Sequence, residues 1–173
     1  IEHQSTLNAA LYFCGGGFAF MAIDIILFKI KTTASQLVAM LSDFIPEALA
    51  LGAAVALGSS SAGLLAVLML LQNLPEGFNA FHELRNSSTY QPKHIVMLFI
   101  GLSLAGPLAG ICGFLWLGDK PQAVAAIMLF AAGGILYSVF QDIAPQAKLE
   151  KHWLPAMGAI IGFVLGMVGH MLI

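Results

Sequence analysis

Charge is what this chain has least of. Asp, Glu, Lys and Arg together make up 9% of its 173 residues, while 59% are hydrophobic. A soluble domain carries about 25% charged residues, so this composition excludes an ordinary water-soluble globule. Basic clusters are also missing, and the net charge is −2; nothing here neutralises a run of phosphates, which excludes nucleic acid as a partner. The two cysteines, Cys14 and Cys112, sit in apolar stretches as small core residues and form neither a disulfide framework nor a CxxC metal site. His82-Glu83-Leu84-Arg85-Asn86 lacks the second histidine of HExxH, and Gly58-Ser59-Ser60-Ser61-Ala62-Gly63 is a turn, not a GxSxG elbow. The start, Ile1-Glu2-His3-Gln4, has no initiator methionine and no basic region with a cleavage site, so a fragment or processed chain is expected.

What is present is length of apolar sequence. About 20 apolar residues cross a bilayer as a helix, and six such stretches occur: 7–28, 37–57, 62–81, 95–117, 123–143 and 153–173. The expected fold is all-α, a polytopic transmembrane helical bundle forming one domain over 1–173. Gly15-Gly16-Gly17, the glycines at 101, 106, 110 and 113, and the stripe Gly158, Gly162, Gly166, Gly169 mark surfaces for close helix packing. Pro107 is a kink candidate in the fourth span, and His82 to His94 reads as a solvated loop. Lys29, Lys31, Arg85, Lys93, Lys148 and Lys151 fall on one side and only Lys120 on the other. By the positive-inside rule both ends lie on the non-cytoplasmic face of a cell membrane, plasma or bacterial inner.

Within these spans two similar sextets stand out, Ser42-Asp43-Phe44-Ile45-Pro46-Glu47 and, 29 residues later, Leu71-Gln72-Asn73-Leu74-Pro75-Glu76. Residues four apart share a helix face, so Asp43 pairs with Glu47, and Gln72 with Glu76, while Asn73 reaches the same flank. Each proline removes an N–H and strains the bond four residues back, which frees the carbonyls of Ser42 and Leu71 and predicts bent helices. Carboxylates at membrane depth are costly and face a partner or a water-filled path. Three of them together require a counter-cation or protons, and no Lys or Arg lies within a span. A divalent metal is the simplest partner. All-oxygen ligation admits Zn²⁺, Fe²⁺, Mn²⁺ or Cd²⁺ and leaves Mg²⁺ and Ca²⁺ open.

At these residues the chain resembles the ZIP (Zrt/Irt-like) family of divalent metal transporters. Gln72-Asn73-Leu74-Pro75-Glu76-Gly77 matches the family's fifth-helix pattern; Pro46 and Glu47 keep the fourth-helix pattern, with Asp43 where histidine is usual and Phe44 where asparagine is usual. Gly133-Gly134-Ile135-Leu136-Tyr137 with Gln141-Asp142-Ile143-Ala144-Pro145 resembles the seventh helix. The stretch from Gly101 to Leu108 resembles the sixth, with Gly106 in place of a glutamate that helps hold a second metal. The resemblance implies transport toward the cytoplasm by alternating access, with metal held by Asp43, Glu47, Gln72, Asn73 and Glu76 and with Gln141 and Asp142 near the exit. It implies one good divalent site, not a binuclear pair, and no organic cofactor. It fits helices three to eight of an eight-helix family. A truncated or partly represented chain is the first expectation, and a natural six-span variant the second. The loop from Lys29 to Gln36 is short where the family has a long His-rich one. A homodimer is compatible with this reading.

Plainer readings stand beside these. Glu47 and Glu76 are also readable as protonated carboxyls hydrogen-bonded between helices, and Gln72 and Asn73 as interhelical glue. Gln141 and Asp142 also fit a solvated helix end, and Asp24 a capping or interface charge. The five histidines read as interfacial and the methionines as core filler. Two other functions compete: a non-transporting metal sensor or receptor partner, and an intramembrane lipid-phosphate enzyme, which lacks the basic residues phosphate needs.

Overall fold

A computed structural model describes residues 4–30, 35–147 and 153–172. Among the described residues every regular element is helical: α1 (Thr6–Ile30), α2 (Ser35–Ala56), α3 (Ala62–Ser87), α4 (Pro92–Ser103), α5 (Ala105–Leu117), α6 (Pro121–Ser138), a π-helical turn (Val139–Ile143), α7 (Ala144–Gln146) and α8 (Leu154–Met171). Six helical stretches are long and apolar enough to cross a membrane, with α4 and α5 counted as one. At 1.5 Å per residue, 18 to 26 residues match the hydrocarbon thickness of about 30 Å. The chain is therefore a multi-pass membrane protein. Large apolar side chains such as Phe28, Phe78, Trp116 and Phe163 stay exposed on its outer faces, as lipid requires.

Helix α2 is the hub, packing against α1, α3, α5 and α6. In lipid the gain comes from close packing, which small residues permit. A Cβ placed on Gly52 would collide with the Gly110 carbonyl, and one on Gly113 with the Leu49 carbonyl, so α2 and α5 touch backbone to backbone. Gly16 against Phe130, and Gly133 against Phe13, do the same for α1 and α6. These two pairs, α2 with α5 and α1 with α6, are the most extensive contacts in the molecule. At one end of the bundle Leu37, Ala80, Leu84 and Ile95 form a buried cluster joining α2, α3 and α4, with Phe81 edge-on to Phe99 at 6.4 Å.

Several boundaries differ from the sequence reading. Helix α3 continues to Ser87, so His82–Ser87 is helix and not solvated loop. Leu84, 4% exposed, anchors that extension, and the Glu83 carboxylate accepts the Gln36 N–H of α2 at 2.8 Å. The fourth span is interrupted at Leu104. Pro107 has no N–H to give the Ser103 carbonyl, and that lost bond coincides with the end of α4. The fifth span ends in the π-helical turn, where Ala144 N–H bonds the Val139 carbonyl and Pro145 cannot serve the carbonyl of Gln141. Helices α2 and α3 continue as α-helix through Pro46 and Pro75. The glycine stripe of α8 does not pack as expected: among the described residues Gly158, Gly162 and Gly166 have no neighbour within 4 Å of where a Cβ would stand, and Gly169 alone of the four reaches a partner, Leu64 of α3. Lys31, Lys148 and Lys151 lie outside the described residues.

Candidate functional site

Three helix faces build the candidate site. On α2 the stripe Gln36, Ala39, Met40, Asp43 continues as Pro46, Glu47, Ala50 at three- and four-residue steps. On α3 the stripe is Leu65, Leu68, Gln72, Glu76, Asn79, and on α6 it is Met128, Ala131, Ile135, Ser138. These faces enclose two cavities. The larger, ≈ 330 Å³, is lined by Gln36, Asp43, Glu76, Asn79, Ser138 and Ile143 among others. The smaller, ≈ 220 Å³, is lined by Pro46, Glu47, Leu68, Gln72, Ala131 and Ile135 among others. On each helix the two sets of lining residues are consecutive and do not overlap, so the cavities lie in series along the bundle axis.

Where they meet, the polar side chains differ in how they are satisfied. Asp43 is 7% exposed, the buried polar side chain of the core, and its Oδ1 has no hydrogen-bond partner. Glu76 Oε2, on the same cavity, is likewise buried and unpartnered. Glu47 is bound: Gln72 Nε2 donates to both of its carboxylate oxygens at 2.7 Å. A carboxylate only accepts and an amide NH₂ donates twice, so this pairing fixes which end of the amide faces Glu47. Asp43 lies within Coulombic range of Glu76 and Glu47, and Glu76 within range of Glu47. Among the described residues no Lys or Arg lines either cavity.

Asp43 and Glu76 thus line the larger cavity and Glu47 and Gln72 the smaller, one helical turn away on each helix, while Asn73 turns away, its Nδ2 donating to the Met69 carbonyl of its own helix at 2.7 Å. Gln141 is exposed on the π-helical turn and lines neither cavity, although Ile143 and Ala147 of the same segment border the larger one. The side chain of Asp142 is outside the described residues. Among the described residues no three His, Cys, Asp or Glu side chains are clustered tightly enough to hold a metal ion. Phe44 lays its ring where a side chain on Gly106 would have to stand. The large residue on α2 and the missing one on α5 fill a single space.

Two contacts escaped the sequence reading. Tyr137 Oη donates to Asp24 Oδ2 at 3.0 Å, tying α6 to α1, beside a small polar cavity of ≈ 70 Å³ that shares Gln36, Ala39 and Ser138 with the larger one. The signal was a tyrosine deep in an apolar span, whose hydroxyl needs a partner. The contact of Glu83 with the start of α2 had no local signal, because the Gln36 N–H it accepts is 47 residues away. Comparison with protein-family models, curated proteins and solved structures gave no match.

Proposed function

We propose that this protein is a divalent metal cation transporter of the zinc, iron and manganese class, moving its cargo toward the cytoplasm by alternating access. The observation that carries the proposal is the pair of buried, unpartnered carboxylate oxygens, Asp43 Oδ1 and Glu76 Oε2, on a cavity that no Lys or Arg among the described residues lines. An uncompensated buried carboxylate is expensive unless paired, and a divalent cation is the partner that makes the arrangement favourable. The likeness of the two sextets to the ZIP pattern supports the same conclusion. Asp43, Glu47 and Glu76 supply charge, Gln72 an amide oxygen. Two cavities in series along one set of helix faces suit a path that opens first to one side and then to the other. Orientation follows from Lys29, Arg85 and Lys93 facing the cytoplasm and Lys120 the opposite side.

The seating of Phe44 on Gly106 supports one cation at this level, since the ring occupies the α5 side of the site. Purified protein in sealed vesicles should take up Zn²⁺, Fe²⁺, Mn²⁺ or Cd²⁺ in preference to Mg²⁺, and Glu47→Ala and Glu76→Ala should each lower uptake by at least about tenfold, the scale of a lost ligand interaction. Uptake indifferent to both substitutions would remove the transport reading. A non-transporting metal sensor is the second reading. It predicts saturable cation binding in detergent with no vesicle uptake.

A further inference from the structure

We infer that the Glu47–Gln72 hydrogen bond is the barrier between the two cavities, so that one residue, Gln72, both closes the path and, once turned, offers a ligand to what passes. On α2 the smaller cavity uses Pro46, Glu47 and Ala50 and the larger uses Gln36 to Asp43; on α3 the division falls between Gln72 and Glu76, and on α6 between Ile135 and Ser138. A single layer of side chains therefore separates the two spaces, and the interhelical bond that spans it from α2 to α3 runs from Gln72 Nε2 to Glu47 Oε1 and Oε2, both 2.7 Å long.

In this state the amide turns its NH₂ end toward Glu47, Nε2 being shared between the two carboxylate oxygens, and its oxygen away. A cation arriving at Glu47 meets those donors, which repel positive charge. Rotation of the terminal amide about its last side-chain bond, a broad and low barrier, removes the donors and brings Oε1 to the cation side. Asn73 cannot do this, because its amide is committed to the Met69 carbonyl. The seal holds without metal, since Glu47 is satisfied by Gln72 alone.

The inference rests on the transport reading only for the nature of the traveller; the barrier itself is tested without it. Single cysteines are introduced as Leu68→Cys in the smaller cavity and Ala39→Cys in the larger, with Cys14 and Cys112 replaced by alanine. A permanently charged methanethiosulfonate reagent is then applied from either face of oriented vesicles. With Gln72 intact, each cysteine reacts from its own face only. With Gln72→Ala, labelling from the opposite face rises by about tenfold to a hundredfold, the population change that follows from removing a hydrogen bond to a charged group, while labelling from its own face persists and reports an intact cavity. Gln72→Asn, one methylene too short to reach Glu47, gives the same opening if the alanine variant does not fold. Labelling from both faces with Gln72 intact, or one-sided labelling that survives both substitutions, overturns the inference. A barrier that opens on Gln72 substitution in a protein showing no cation uptake would retain the gate and discard transport.

Discussion

Replacing Asp43 by asparagine should make the metal-free protein more stable and the cation-bound protein less so. Asp43 is 7% exposed, its Oδ1 is unpartnered, and Glu76 and Glu47 repel it. A buried polar atom left unsatisfied costs about 1–3 kcal/mol, and more when charged. Asparagine keeps the shape, removes the charge, and gives the facing carboxylates a donor, as Gln72 already does for Glu47. The expected gain without metal is about 1–3 kcal/mol, or about 2–4 °C in melting temperature per kcal/mol for a chain of this size. With metal the order reverses: a cation at a hundred times its dissociation constant should stabilise the parent by about 2.7 kcal/mol, and Asp43→Asn should lose most of that increment. Far-UV circular dichroism melts in detergent, without and with Mn²⁺ or Zn²⁺, measure both quantities. A variant that melts several degrees lower without metal and keeps the full cation increment would refute the reasoning, because Asp43 would then be a satisfied structural carboxyl.

Other consequences follow from the packing. Gly113→Leu drives a side chain into the Leu49 carbonyl of α2 and should cost about 3 kcal/mol or more, since overpacking against backbone cannot relax through rotamers; Gly162→Leu on α8 meets nothing and should leave the melt unchanged. Tyr137→Phe should cost about 1.5–3 kcal/mol, the value of a hydrogen bond to a charged group, and a double-mutant cycle with Asp24→Asn should show coupling that disappears if the two never touch. Glu83→Ala frees the Gln36 N–H at the start of α2. Losing such a cap typically costs about 0.5–2 kcal/mol, and faster hydrogen exchange confined to the first turn of α2 is the expected signature, with unchanged exchange there counting against the contact.

The features legible in the sequence are those whose information is local. The spans at 7–28 and 62–81 reappear within α1 and α3, and that at 37–57 in α2, which ends one residue earlier, because apolar length alone dictates a helix where water is absent. Asp43 and Glu47 line one face of α2, and Gln72 and Glu76 one face of α3, because four-residue steps share a helix face, and a two-helix hairpin turning at Gly58, φ +64°, brings Gln72 against Glu47. The extension of α3 past Phe81 was not legible, since His82-Glu83-Leu84-Arg85 is as polar as a loop and becomes helix only when Leu84 finds Leu37 and Ile95.

From its sequence alone this protein was determined to be a set of apolar helices with acidic and amide side chains at fixed steps along two of them, because periodicity and transfer cost depend on a residue and its near neighbours. Only the tertiary structure decided which of those polar groups are satisfied. Asn73 bends back to its own helix, Gln72 reaches across to Glu47, Glu83 crosses to the start of α2, and Asp43 Oδ1 and Glu76 Oε2 are left without a donor. The reason is distance: a hydrogen bond is made or lost over less than an ångström, and that separation is set by how closely Gly52, Gly113, Gly16 and Gly133 let whole helices approach.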